Sequence, residues 1–222
     1  MRRVGVCLSG CGFLDGAEIH ESVAVLTALD RAGLQAVCCA PNIAQAAVVN
    51  HWTRRPAQAG GPRNVLEESA RIARGDIRDL AEVRPEQLEA LVFPGGFGAA
   101  KNLCDFADRG SDCKVHPAVE RLVGGMLDAG KPVAAICIAP AMLARILGKR
   151  GIRARLTIGN DPQTAAAIER MGVTHVQCTA TDCVVDEEHR ILSTPAYMLA
   201  KGPAEVFQGV GRLVEALARM IG

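Results

Sequence analysis

The chain of 222 residues is 49% apolar and 22% charged, values that are ordinary for a globular protein. Its length suits one α/β domain over residues 1–222. The net charge of +1 argues against a nucleic-acid or anionic-membrane partner. No apolar stretch approaches the roughly 18 residues that span a bilayer, and the N-terminus lacks the apolar core of a signal peptide. We therefore expect a cytoplasmic protein.

The predicted elements alternate along the chain. Apolar runs predict strands at residues 4–8, 36–40, 88–93, 132–136, 155–158, 183–186 and 190–194, the last two paired across a turn at 187–188. Apolar residues at helical spacing predict helices at residues 17–31, 65–74, 117–128, 141–147 and 204–221. The polar segment 43–62 is interpreted as a hairpin or excursion. This alternation indicates a mostly parallel sheet with helices on both faces.

Nine cysteines are an odd number, and their spacing is irregular. A reducing compartment explains this pattern better than a disulfide scaffold. No Cys-x-x-Cys pair occurs, so we expect no structural metal site. Most of the nine are expected to be small core residues.

Cys137 stands out because it lies between an apolar strand and a helix. A sharp strand-to-helix turn with a nucleophilic residue is the geometry of a nucleophile elbow. The side chain would lie at the carboxyl edge of the sheet, and the following helix N-terminus would favour its thiolate. On this stretch alone, a buried structural cysteine is the more common alternative.

Three loops follow predicted strands and should meet at this edge: residues 9–16, residues 94–102 and the turn at Cys137. The first loop leads to Glu18 at the start of a helix. The second presents the backbone N–H groups of Gly95 and Gly96, which with that of Ile138 could bind an oxyanion. Taken singly, Glu18 could simply favour its helix N-terminus, and the two glycines could simply form a turn. Their convergence on one edge favours a functional site.

Several long motifs carry a family resemblance that covers essentially the whole chain, at residues 8–12, 15–21, 94–102, 137–142, 156–159 and 194–200. Together they resemble the ElbB family, glyoxalase-like bacterial proteins of the ThiJ/PfpI superfamily with a class I glutamine amidotransferase-like fold. The resemblance implies a flavodoxin-like sandwich, usually a homodimer. It also implies that Cys137 sits on a strained elbow with Glu18 beside it.

The activity implied by the resemblance is a weak, glutathione-independent glyoxalase of the hydro-lyase type, with no cofactor. It would convert the small dicarbonyl glyoxal, and also methylglyoxal, to the hydroxy acid. The thiolate of Cys137 would add to the aldehyde to form a hemithioacetal. Glu18, held neutral by burial and by the nearby thiolate, would move protons between carbon and oxygen until water cleaves a thioester.

The chain departs from the wider superfamily in lacking its activating histidine. Residues 193–196 and 156–161, where superfamily members carry one, contain no histidine, so a glutaminase triad is not expected. His20 is the nearest histidine in sequence, but two residues beyond Glu18 on a helix it should point away. We treat His20 and Tyr197 as candidate pocket residues. The segment with His51 and Trp52 could shape the pocket or a dimer contact.

Three alternatives stay open. Glycines at 10, 12 and 16 approach a dinucleotide fingerprint, but no acidic residue ends the second strand to bind a ribose. In a redox-sensing or deglycase-like protection module, Cys137 would oxidise to a sulfinate held by Glu18. An amidotransferase-like partner that delivers ammonia to a synthase would need the histidine that the chain lacks.

Overall fold

The computed structural model describes residues 1–58 and 61–222, and within them the chain forms eleven strands and eight helices. The strands are β1 (Arg3–Cys7), β2 (Gln35–Ala40), β3 (Val49–Asn50), β4 (Arg55–Pro56), β5 (Arg78–Asp79), β6 (Ala90–Phe93), β7 (Val133–Ile136), β8 (Arg155–Leu156), β9 (Thr174–His175), β10 (Val184–Asp186) and β11 (Ile191–Thr194). The helices are α1 (Ile19–Arg31), α2 (Val65–Ile72), α3 (Phe97–Lys101), α4 (Phe106–Arg109), α5 (Pro117–Asp128), α6 (Ala139–Lys149), α7 (Pro162–Arg170) and α8 (Pro203–Ile221).

The central sheet has seven strands in the order β10-β11-β7-β6-β1-β2-β5. Its pairs are parallel except β10 with β11, which are antiparallel as the sequence predicted. The predicted α/β fold with a mostly parallel sheet is therefore confirmed. The chain runs from β1 to β2 on one side and returns to β6 on the other. The carboxyl ends of β1 and β6 thus form a topological switch point, where open α/β sheets bind ligands.

The strands are buried on both faces, which explains their continuous apolar runs. Along β7, Val133 and Ala135 pack into one core with α5 and α6. Ala134 and Ile136 pack into a second core with α1 and α8 on the opposite face. These two cores fix the end of β7, and therefore the elbow that follows it, against the rest of the sheet.

Helix α1 begins two residues later than the sequence predicted. Glu18 is extended, with φ −68° and ψ 126°, and its carboxylate accepts the N–H of Glu21 at 2.7 Å. It is therefore the N-cap, a position that supplies an acceptor to an otherwise unpaired N–H. The helix ends at Arg31, just before Gly33 with φ 68°, as predicted.

Other predictions needed correction. The strand predicted at 155–158 shortens to β8 and pairs with β9 outside the central sheet. Three helices were not predicted: α3, α4 and α7. The polar segment contains the short β3–β4 hairpin, although its residues 59–60 lie outside the described chain. None of the helices in the described ranges has the length and hydropathy needed to cross a bilayer.

Candidate active site

Cys137 occupies a left-handed turn between β7 and α6, with φ 61°. Its backbone N–H donates to the carbonyl of Thr194 at 2.9 Å, which ties the turn to the end of β11. A left-handed conformation costs a residue with a Cβ about 1–2 kcal/mol. Such strain is typical of functional sites, where the surrounding structure enforces it. The predicted strand–turn–helix around Cys137 is thus the observed geometry.

The carboxyl group beside this thiol belongs to Glu21, not to Glu18. Glu21 is fully buried, and its carboxyl lies beside the Cys137 side chain: a Cβ placed on Gly95 would lie 2.8 Å from Oε2 of Glu21 and 2.5 Å from Cβ of Cys137. Its Oε2 accepts the N–H of Gly95 at 2.8 Å, and its Oε1 accepts the N–H of Tyr197 at 3.3 Å. These contacts hold the carboxyl in place against the sulfur.

Glu18 lies on the wall of the adjoining cavity, where it caps α1. The spacing of residues in α1 indicates that Glu21 is buried, which the family motifs alone do not show. Glu21, Val25 and Leu29 are spaced four residues apart and are all buried. A carboxylate on the buried stripe of a helix is a stronger candidate for a perturbed, functional group than one at its cap.

The three predicted N–H donors do not act together. The N–H of Gly95 is already bonded to Glu21. Those of Gly96 and Ile138 donate toward the sulfur of Cys137. Gly95 is therefore not free to bind an oxyanion, whereas oxyanion binding by Gly96 and Ile138 stays a prediction.

Glycine is required at positions 95 and 96 by close backbone approach. A Cβ on Gly95 would lie 2.5 Å from the Cβ of Cys137. Gly96 has φ 89°, and a Cβ there would lie 2.4 Å from the carbonyl oxygen of Gly16. The two loops are also joined by a hydrogen bond from the N–H of Glu18 to the carbonyl of Gly95, at 2.9 Å. Both loops therefore meet Cys137 at one edge of the sheet, as the sequence predicted.

Asn102 was not predicted to contribute, yet it organises these loops. Its buried amide NH₂ donates to the carbonyls of Ser9 and Asp15 at 2.8 and 3.0 Å. Its side-chain oxygen accepts the N–H of Ala46 at 2.9 Å. One side chain thus binds three backbone groups from two separate loops, and two of these hydrogen bonds, to the carbonyls of Ser9 and Asp15, are buried.

Burial raises the pKa of both groups in the central pair. The pKa of the Cys137 thiol lies well above its usual value, chiefly because it is buried and then because the Glu21 charge is close. Burial, followed by the charge of Glu18, raises the pKa of Glu21 to about 7. The predicted preference of the helix N-terminus for the thiolate acts through the N–H of Ile138, which lowers the pKa of the thiol, but it does not set the net shift. The N–H groups of Gly96 and Ile138 lower the pKa of the thiol, but burial outweighs them.

A cavity of about 840 Å³ opens in front of Cys137. Its aromatic lining consists of Phe13, Phe97, Phe106 and Tyr197, and its polar lining includes Glu18, His20, Asp161 and Thr164. His20 does not point away from the site as predicted: its Nδ1 lies 2.6 Å from the Tyr197 hydroxyl, and both residues line the cavity. The prediction assumed that Glu18 and His20 lie on the same helix, two residues apart. Glu18 precedes α1, so the helical angle between the two residues does not apply.

The excursion after β2 shapes this cavity indirectly. The Nε2 atom of His51 accepts the N–H of Leu14 at 3.2 Å, and its ring packs edge-on against Phe13 at 5.6 Å. Phe13 in turn lines the cavity. Trp52 is 93% exposed and takes no part in this contact.

The described residues contain no group of three or more His, Cys, Asp or Glu side chains arranged to hold a metal ion. What they do contain is a cysteine on a strained elbow, a buried carboxyl against its sulfur, and two N–H donors, at the switch point of a parallel sheet. These features define a class of α/β proteins with a nucleophile-elbow cysteine.

The chain belongs to the DJ-1/PfpI family, whose model matches residues 12–194. It is 41% identical to a human protein named glutamine amidotransferase-like class 1 domain-containing protein 3, mitochondrial, over 99% of this chain and 84% of that one. It is 31% identical to the mitochondrial ES1 protein of Danio rerio, over 98% and 85% of the two chains.

A solved structure supports the same relationship. The isoprenoid biosynthesis protein with amidotransferase-like domain from Ehrlichia chaffeensis superposes with a TM-score of 0.93 at 36% identity, over the whole of both chains. The ElbB and ThiJ/PfpI resemblance inferred from motifs is therefore confirmed. A DJ-1β structure from Drosophila melanogaster, with a TM-score of 0.56 at 18% identity over 99% of this chain and 95% of that one, shares the fold.

Proposed function

We propose that this protein is a cofactor-independent glyoxalase that converts a 2-oxoaldehyde such as glyoxal or methylglyoxal to the 2-hydroxy acid. One observation carries the proposal: the buried carboxyl of Glu21 lies beside the Cys137 thiol, and each group shifts the pKa of the other, next to an open cavity. A nucleophile and a proton carrier in contact are the two groups that this rearrangement requires.

The first step uses Glu21 as a base. As the sulfur of Cys137 bonds to the aldehyde carbon, the thiol proton passes to the Glu21 carboxylate. Glu21 then returns that proton to the former aldehyde oxygen, and the product is a hemithioacetal. A carboxyl group with a pKa of about 7 is well matched to accept and return a proton at neutral pH. The raised pKa of Cys137 makes this assistance necessary, because little free thiolate exists in the unliganded site.

The second step is an internal redox change that needs no external oxidant. A proton leaves the former aldehyde carbon, and a proton is delivered to the neighbouring carbonyl carbon. The first carbon is thereby oxidised to a thioester and the second reduced to an alcohol. Water then cleaves the thioester, which releases the hydroxy acid and restores the Cys137 thiol. In this scheme Glu21 takes the role that the family resemblance assigned to Glu18.

The substrate oxygen develops negative charge in both steps. The N–H groups of Gly96 and Ile138, which lower the pKa of the Cys137 thiol, would lie beside the bond being formed and could donate to this oxygen. Donors that are fixed before reaction stabilise such charge without reorganisation. His20 and Tyr197 line the outer part of the same cavity and can exchange protons with solvent.

The test measures hydroxy acid by product chromatography, because loss of aldehyde alone also reports simple adduct formation. Wild type would be compared with Cys137→Ser and Glu21→Gln, with Glu18→Gln as the matched control and folding checked by circular dichroism. Loss of a general acid–base group costs about 10²–10⁴-fold in rate, so we expect Cys137→Ser and Glu21→Gln to lose at least 100-fold. Glu18→Gln should form hydroxy acid at a rate within about tenfold of the wild-type rate. Equal hydroxy acid from wild type and Cys137→Ser would reject the proposal.

A redox-sensing or deglycase-like module is the second candidate, favoured by the same contacts around the sulfur. The Glu21 carboxyl and the two N–H donors could hold the oxygens of a sulfinate. Peroxide treatment followed by peptide mass spectrometry separates the two roles. A mass gain confined to Cys137, with no hydroxy acid formed from any dicarbonyl, would support the sensor.

The homodimer and the cytoplasmic location stay predictions. Ile19 and Val23, one turn apart on α1, are 43% and 41% exposed, and such apolar side chains are suited to contact a second copy. Sedimentation equilibrium of the wild type and of an Ile19→Lys variant would test this. The names of the human and Danio rerio relatives place those proteins in mitochondria, so the compartment of this protein needs its own measurement.

A further inference from the structure

The cavity in front of Cys137 is much larger than glyoxal requires. Its volume of about 840 Å³ lies in the range of roughly 300–1,000 Å³ that is typical of sites for drug-sized ligands. Glyoxal has two carbon atoms and methylglyoxal three, so either would leave most of this space filled with water. A site of this size is suited to a ligand with a substantial body attached to its reactive carbonyl.

The wall of the cavity is chiefly aromatic and aliphatic. Phe13 and Phe97 line it and are 41% and 45% exposed, although phenylalanine side chains are usually buried. Phe106, Ala107 and Met198 extend the apolar wall. Apolar surface left open to water at a binding site is stabilised when an apolar ligand covers it.

The charges around the cavity disfavour an anionic ligand. Two carboxylates, those of Glu18 and Asp161, belong to the lining. Within the described part of the chain, neither lysine nor arginine belongs to it. Lys101, which is outside the lining, has its ammonium 5.3 Å from the centre of the Phe97 ring and so interacts with that ring. A carboxylate or phosphate on the ligand would enter without a paired cation and close to like charge.

We propose that the preferred substrates are uncharged 2-oxoaldehydes that carry an aromatic or branched apolar group. This inference rests on the glyoxalase function proposed above. With phenylglyoxal as the model substrate, the sulfur of Cys137 bonds to the aldehyde carbon, and the thiol proton passes to Glu21. Transfer of hydrogen from that carbon to the neighbouring carbonyl carbon, then hydrolysis of the thioester by one water molecule, gives mandelate and the free thiol. Phe13 and Phe97 would contact the ring.

The experiment compares kcat/KM for three probes with the full-length wild-type protein: phenylglyoxal, methylglyoxal and 4-carboxyphenylglyoxal. Formation of each hydroxy acid is measured by chromatography, and each rate is divided by the rate at which the same aldehyde adds to a free thiol in solution. We expect the corrected kcat/KM for phenylglyoxal to be at least tenfold higher than that for methylglyoxal. The carboxylated probe, similar in shape but anionic, should fall at least tenfold below phenylglyoxal.

A pair of alanine variants tests whether the cavity is responsible. Ala107 lines it and is exposed, so Ala107→Phe adds a ring to the cavity wall without disturbing the core. This change should lower kcat/KM for phenylglyoxal at least fivefold more than for methylglyoxal. Ala81 is also exposed but lies outside the cavity lining, and Ala81→Phe should leave the ratio unchanged.

The outcomes separate the two proposals. Hydroxy acid that depends on Cys137, but forms from methylglyoxal as fast as from phenylglyoxal, would overturn this inference and leave the glyoxalase function intact. An unchanged substrate ratio in Ala107→Phe would also overturn it. Absence of hydroxy acid from all three probes would overturn both proposals.

Discussion

The carboxyl group of Glu21 and the thiol of Cys137 form a buried pair of neighbouring groups in which burial raises the pKa of both. The two residues come from different elements of the fold. Glu21 lies on the buried stripe of α1, and Cys137 lies on the strained turn after β7. Two interacting sites of this kind release their protons as a unit rather than independently. The chemistry of the site therefore depends on the pair, and the pair can be tested without any substrate.

The first prediction concerns stability and pH. The pKa of Glu21 is about 7 in the folded protein, and the ordinary value of about 4.5 applies to the unfolded chain. Between these values the folded state binds a proton that the unfolded state has lost, so this group's contribution to stability falls as pH rises from about 4.5 through 7. At about 1.4 kcal/mol per pKa unit, the loss from this group is about 3 kcal/mol.

Urea unfolding at pH 5 and pH 8 would measure this effect. Glu21→Gln removes the titrating group and should make the difference between the two pH values smaller by about 3 kcal/mol. It should lower stability at pH 5, because glutamine has one acceptor for the two N–H groups that Glu21 now binds, and this loss should largely disappear at pH 8, where the wild type carries a buried charge. Glu89→Gln, at an exposed carboxyl outside the cavity lining, is the control and should retain the wild-type difference. Glu18→Gln should reduce the difference in part, because the charge of Glu18 contributes to the raised pKa of Glu21. An unchanged difference in Glu21→Gln would show that Glu21 does not titrate in this range.

The second prediction concerns the reactivity of Cys137. Because its pKa is raised, we expect iodoacetamide to alkylate Cys137 more slowly in the native protein than in the urea-unfolded chain at pH 8. Removal of the Glu21 carboxylate lowers the pKa of the thiol, so Glu21→Gln should react faster. Each pKa unit changes the thiolate fraction about tenfold below the pKa.

Peptide mass spectrometry at Cys137 gives the rate for this residue alone. The half-buried Cys178 serves as an internal control, because it does not line the cavity and Glu21 is not among the groups that shift its pKa, so it should react equally in both proteins. Faster alkylation of native than of unfolded Cys137 would mean that the helix N-terminus, and not burial, controls the thiol.

The sheet could be predicted from sequence because its strands are buried on both faces and read as short continuous apolar runs. The elbow was found for the same reason: Cys137 directly follows such a run, in β7. The antiparallel pairing of β10 with β11 followed from the turn between them. In each case the deciding information lies within a few neighbouring residues.

The carboxyl partner was misassigned because the motif contains two glutamates, and local sequence does not say which one faces the thiol. The choice depends on the helix start, which Glu18 fixes by acting as its cap. The cavity wall was missed for a different reason. Phe106 and Asp161 lie at α4 and α7, which were not predicted and which reach the site only through tertiary packing.

The third prediction concerns Gly96. A Cβ at this position would lie 2.4 Å from a backbone oxygen, and φ is 89°. Strain and overpacking together should lower the free energy of unfolding by about 2–5 kcal/mol in Gly96→Ala. Gly33→Ala is the matched control: φ is also positive, at 68°, but nothing lies within 4 Å. It should cost only about 1 kcal/mol in urea unfolding. Equal losses in the two variants would mean that the loops do not pack as closely as described.

The fourth prediction concerns the His20–Tyr197 pair. The Nδ1 atom of His20 lies 2.6 Å from the Tyr197 hydroxyl, and both residues line the cavity with Cys137. If they act as one proton-exchanging unit, loss of either partner removes the whole contribution. We expect Tyr197→Phe and His20→Phe each to lower kcat/KM for a 2-oxoaldehyde about tenfold, within the usual range for acid–base assistance. The double variant should lose little more than either single variant, with a coupling energy of about 1 kcal/mol.

The stability of the single variants provides the control for this comparison of single and double variants. His20 is exposed and its hydrogen bond is partly solvated, so urea unfolding should change by no more than about 1 kcal/mol in either variant. Losses in kcat/KM that simply multiply in the double variant would show that the two side chains act independently. An unchanged kcat/KM in all three variants would remove them from the mechanism, and proton exchange with solvent would then have to proceed through Glu21 alone.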